Sequence, residues 1–64
     1  MPSVPEKAAN LIKTYGDQAP DEARKRAASA GRTGDKKGAE GWKQIAFAAQ
    51  VQVDEERRKQ RSKP

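Results

Sequence analysis

The sequence predicts an all-α fold, a small three-helix bundle with two short helices packed on a longer C-terminal helix. Three observations predict it. Apolar residues recur at helical spacing in three separate segments. Each segment opens on a capping residue, and the first two close on glycine. The apolar stripe of the middle segment is alanine throughout, so its neighbour can approach closely.

Helix one is read over about residues 5–15. Ser3 and Glu6 stand three apart, a capping box with Ser3 as N-cap. Pro5 falls in the first turn, where a missing N–H costs nothing. Ala8, Leu11, Ile12 and Tyr15 then share one face at i, i+3, i+4 and i+7. Gly16 supplies the stop.

Helix two is read over about 18–30. Asp17 is its expected N-cap, and Pro20 lies in its first turn. Ala19, Ala23, Ala27 and Ala30 form the methyl stripe. Asp21–Lys25 and Glu22–Arg26 are i,i+4 pairs in the favourable orientation, each contributing about 0.3 kcal/mol. Gly31 ends the helix.

Helix three is read from about 36 to 57. Gly34-Asp35 repeats the arrangement of Gly16-Asp17, a stop followed by a start, and Asp35 is read as the N-cap. Gly38 and Gly41 weaken the first turns by up to ~1 kcal/mol each relative to alanine. Glycines on a helix flank also permit a close backbone crossing, which Trp42 would then cover. Ala39, Trp42, Ala46, Ala49 and Val53 form the inner stripe, and Ile45 widens it. The predicted core is Leu11, Ile12, Tyr15, Trp42 and Ile45, with Trp42 at its centre. Phe47 and Val51 fall on a different side, four apart. They either wrap the edge of the core or form a second apolar patch, and a second patch on so small a chain points to a partner. Residues 54–64 hold no apolar side chain, and Asp54–Arg58 and Glu55–Lys59 can pair along the helix. Residues 1–57 are therefore read as one helical domain and 58–64 as a fraying basic tail.

Composition removes whole classes of function. The 64 residues include no cysteine and no histidine. Disulfide scaffolds, thiolate metal sites and cysteine nucleophiles are excluded, and the common general base near neutral pH is missing. A catalytic constellation needs a positioned nucleophile or acid–base pair in a pocket. The chain offers neither, so it is read as non-enzymatic, with no cofactor and no metal. No stretch approaches the ~20 apolar residues that span a bilayer. Residues 1–6 lack the basic region and apolar core of a signal peptide. A cytoplasmic protein without a membrane partner is expected.

The charge carries the main functional signal. Fourteen Lys and Arg stand against nine Asp and Glu, a formal charge of +5, with a pI near 9.9. Arg24, Arg26, Arg32, Lys36 and Lys37 group around the second helix and the following turn, and Arg57 and Arg58 head a second group. These are the residues that would hold nucleic-acid phosphates, with affinity falling steeply in salt. The three aromatics, however, sit at core positions rather than as stacking platforms. Residues 31–38 hold three glycines beside basic residues at a helix start, where an anion can sit. Their spacing is not that of a P-loop, and no strand precedes them.

The run Leu11-Ile12, Tyr15-Gly16-Asp17, Ala19, Ala23, Arg26-Ala27, Gly34-Asp35, Gly38, Trp42, Ile45 resembles that of a group of short uncharacterised alphaproteobacterial proteins. The likeness covers about residues 8–50. Its elements are caps and core positions, so it implies a shared fold more than a shared activity. The leading expectation is thus a helical protein-interaction module, with Phe47 and Val51 as its contact residues. The partner is a protein, a second copy in a homodimer being one candidate. The alternative is a basic accessory protein that binds nucleic acid.

Overall fold

A computed structural model describes residues 3–61. It is all-α, with no strand among the described residues. Three α-helices run in order: α1 over Val4–Tyr15, α2 over Ala19–Arg32 and α3 over Lys36–Arg61. The three-helix bundle with two separate short helices is corrected in one respect. Residues 4–32 are one unbroken helical run, and 36–61 the other. A single 3₁₀ turn, Gly16–Gln18, joins α1 to α2 without any loop. The outcome is a helical hairpin with a bent first arm. Both α1 and α2 pack on α3 and touch each other little.

The bend follows from Gly16. Its φ of +62° is a left-handed value that suits glycine, and its N–H donates to the Ile12 carbonyl. The expected cap at Asp17 does not form. The Ala19 N–H donates to the Gly16 carbonyl instead, and no side chain caps the start of α2. Asp17 is left free to reach across to α3, where its carboxylate lies 3.7 Å from Arg57. Ser3 does cap α1, its hydroxyl accepting from the Glu6 N–H at 3.4 Å.

Helix α2 ends two residues later than the glycine count suggests. Gly31 lies inside it, and Gly34 is the terminating residue, with φ +82°. The Asp35 N–H reaches the Ala30 carbonyl at 2.9 Å, and the Gly34 N–H reaches Gly31 at 3.2 Å. This pair of bonds is the Schellman motif, which satisfies the last carbonyls of α2. Asp35 then caps α3, its carboxylate accepting from the Gly38 N–H at 2.9 Å. A three-residue link, Thr33–Asp35, therefore reverses the chain and sets α2 antiparallel to α3. At the far end α3 stays helical to Arg61, past the expected end at 57 and into the segment read as a fraying tail; residues 62–64 of that tail lie outside the described residues.

The core is built mostly of methyl groups. Seven of its ten buried hydrophobic residues are alanines: Ala8, Ala19, Ala23, Ala27, Ala39, Ala46 and Ala49. Leu11, Ile45 and Val53 complete it. Burying a leucine or isoleucine contributes about 1.5–3 kcal/mol, and an alanine methyl less than ~1 kcal/mol. Close helix approach thus compensates for small side chains. Ile12 and Trp42 are only half-buried, flanking this centre. Tyr15 departs from the predicted core, being 38% exposed. Its ring lies under a guanidinium rather than among apolar neighbours. Gln52 ties α3 to the start of α1, its amide donating to the Pro5 carbonyl at 3.2 Å.

Candidate functional site

Three surfaces bear on function: a groove between α1 and α3, the outer face of α3, and the basic corner at the α2–α3 turn. Arg26 organises the first. From α2 it reaches over both aromatics, its guanidinium 4.9 Å from the Trp42 ring centroid and 5.9 Å from that of Tyr15. Its Nη2 donates to the Tyr15 hydroxyl at 3.2 Å, and its Nε to the Glu22 carboxylate at 3.3 Å. One side chain thereby stitches all three helices. A cation stacked on an indole contributes on the order of 1 kcal/mol.

Arg26, one of the residues read as a phosphate ligand, is thus engaged within the chain. Arg24 is engaged as well, with Asp21 at 2.9 Å and the Gln50 amide oxygen at 3.3 Å. Asp21 thus pairs at i,i+3 with Arg24, not with Lys25, whereas the Glu22–Arg26 pair forms as spaced. The register holds the signal for the Arg26 stack. Arg26 stands three residues after Ala23 and seven after Ala19, so its Cβ rises from the alanine face rather than from the solvent side.

Beneath Arg26 runs an open groove of about 600 Å³. Leu11, Ile45 and Trp42 form its apolar floor. Lys7, Lys37 and Arg26 bring positive charge to its edges, and no acidic residue lines it. Gly38 and Gly41 form the α3 wall. The close backbone crossing expected at these glycines is absent. A Cβ at Gly38 would meet the Asp35 carboxylate, but one at Gly41 would find no atom within 4 Å.

The outer face of α3 carries Phe47, 73% exposed, and Val51, 40% exposed. They form a second apolar patch and do not wrap the core. The residues at the centre of this face are Glu40, Gln44, Phe47, Val51, Asp54 and Arg58, at successive spacings of 4, 3, 4, 3 and 4. That is the heptad spacing of a helix seam, apolar only at its middle.

The basic corner holds Arg32, Lys36 and Lys37, all exposed and, among the described residues, without an ion-pair partner. At this helix start, where the sequence leaves room for an anion, the Asp35 carboxylate accepts from the Gly38 N–H in the first turn of α3. Arg57 faces Asp17, and Arg58 makes contacts of its own. No group of three or more acidic side chains among the described residues is placed to hold a metal ion. No described helix is long and apolar enough to cross a membrane.

No family model, no curated protein and no solved structure matches the chain. The functional reading therefore rests on these surfaces alone.

Proposed function

We propose that this chain is a non-enzymatic protein-interaction module whose contact surface is the outer face of α3. The observation that supports this reading is the exposure of Phe47 at the middle of a heptad seam, with Val51 one turn further on. A large aromatic left in water gains most by docking, and aromatic anchors dominate protein interfaces.

The first partner is a second copy of the chain. An antiparallel pairing of two α3 helices about Ala49 sets Phe47 of one copy against Val51 of the other. The same pairing sets Glu40 against Arg58 at either end of the seam, an opposite-charge pair made twice. A two-fold interface requires this kind of self-complementarity.

Sedimentation across a concentration series tests the reading. The chain is expected to sediment as a concentration-dependent dimer. Phe47→Ser with Val51→Ser is expected to weaken that dimer by at least about 2 kcal/mol, the range of an aromatic anchor. The double variant should keep its helical signal and its cooperative melt, because neither residue belongs to the core. A wild-type chain that stays monomeric at millimolar concentration argues against self-association.

A second reading has its own support in the exposed Arg32, Lys36 and Lys37 corner. Phosphate binding there would appear as backbone amide shifts at 32–37 on titration with a short duplex, fading as salt rises.

A further inference from the structure

Gly41, like Gly31 in α2, is a helical glycine that packing within the chain does not explain, and of the two it is Gly41 that lines the groove between α1 and α3. A glycine inside a helix weakens it relative to alanine. At Gly38 the reason is local, since a Cβ there would run into the Asp35 carboxylate that caps α3. At Gly41 no neighbouring atom stands within 4 Å of the place a Cβ would fill. What the missing side chain does is open the wall of the groove between α1 and α3.

The groove has the dimensions and the lining of a binding site. Its volume of about 600 Å³ falls within the range usual for ligand pockets. Its floor exposes part of the Trp42 indole beside Leu11 and Ile45. Charge enters from three helices: Lys7 from α1, Arg26 from α2 and Lys37 from α3. Glu22 holds Arg26 from behind, which leaves Lys7 and Lys37 as the unneutralised pair. No carboxylate lines the groove to answer them.

We propose that this groove binds an acidic peptide segment of a partner protein. One apolar side chain of the segment rests on Trp42 through the gap left by Gly41, and flanking carboxylates meet Lys7 and Lys37. The open shape suits an extended chain passing through rather than an enclosed small molecule. The apolar floor between the cations selects a peptide over a bare phosphate backbone. The site is separate from the outer face of α3, because Trp42 lies about 140° around the helix from Phe47 at 3.6 residues per turn.

Trp42 is the sole tryptophan, so its fluorescence reports the groove directly. The probe is a seven-residue peptide with one leucine between acidic flanks, compared with a twin in which every carboxylate is an amide. The acidic peptide is expected to change the emission saturably, and the amide twin to bind at least about tenfold more weakly. Gly41→Leu, which fills the groove, is expected to lower the affinity about tenfold or more while keeping the cooperative melt. Lys37→Glu, on the exposed rim, is expected to weaken binding several-fold without touching the floor. The proposal is overturned by no saturable response to the acidic peptide at millimolar concentration. Equal binding of the twin, or unchanged binding by Gly41→Leu, overturns it as well. A response to a single-stranded hexanucleotide without one to the peptide overturns it in favour of phosphate recognition.

Discussion

Trp42→Ala is expected to destabilise the chain by about 3 kcal/mol, the lower end of the range for removing a packed tryptophan. A domain of this size holds only about 3–10 kcal/mol in total, so a large part of the population unfolds. The loss has two sources. The indole covers one side of a core whose other members are mostly alanine, with Leu11 and Ile45 as the large side chains of that core cluster. Removing it also strips Arg26 of its 4.9 Å stack and loosens a side chain that touches all three helices. Thermal melting by far-ultraviolet circular dichroism reads the effect. A variant that keeps the wild-type melting temperature shows that Trp42 lies outside the cooperative unit.

Ala49→Leu is expected to cost a similar amount, about 3 kcal/mol, for the opposite reason. Ala19, Ala23 and Ala49 are all fully buried, at 0% exposure, in one cluster joining α2 to α3. The seam has no space for three more carbons, so the helices must part and lose contact along their length. Ala28→Leu is the control. Ala28 is exposed on α2, and a change there is expected to stay within about 0.5 kcal/mol. Equal effects at the two positions would refute the close alanine seam.

Much of the helical pattern was legible in the sequence, because caps and stripes are local. Ser3 and Asp35 cap as their spacing predicts, and the alanines of both stripes are buried except Ala30 at the end of α2, which is half-buried. Gly16 and Gly34 both take positive φ. Yet only one of the two Gly-Asp pairs is a stop followed by a capped start. After Gly16 the chain tightens into a 3₁₀ turn whose backbone bond satisfies the donor that Asp17 would have taken. Propensity does not distinguish that corner from a short loop, and the difference converts three separate helices into a hairpin with a bent arm.

The candidate surfaces were legible in part. Phe47 and Val51 break the inner stripe, and that break marks an exposed patch whatever the packing. The groove was not visible, since it exists only where α1 stops short of covering the flank of α3 at Gly41. Arg26 was read by its charge, which suits a phosphate, whereas its register points to the core side. A long cation at the border of an apolar face often lays its stem along that face. Here it goes further and covers two rings, a contact across eleven and sixteen residues that no local spacing encodes.

The central claim is that the outer face of α3 docks a partner, and that the partner is an inverted copy of itself. A charge-swap cycle at Glu40 and Arg58 tests it most directly, with the dimer constant read by sedimentation equilibrium at low salt. Glu40→Arg alone and Arg58→Glu alone each set like charges against one another and should weaken the dimer several-fold. The double variant restores opposite charges across the antiparallel seam and should return the constant to near the wild-type value. Single changes without effect, or a double variant as weak as the sum of the two, would contradict the antiparallel pairing of α3.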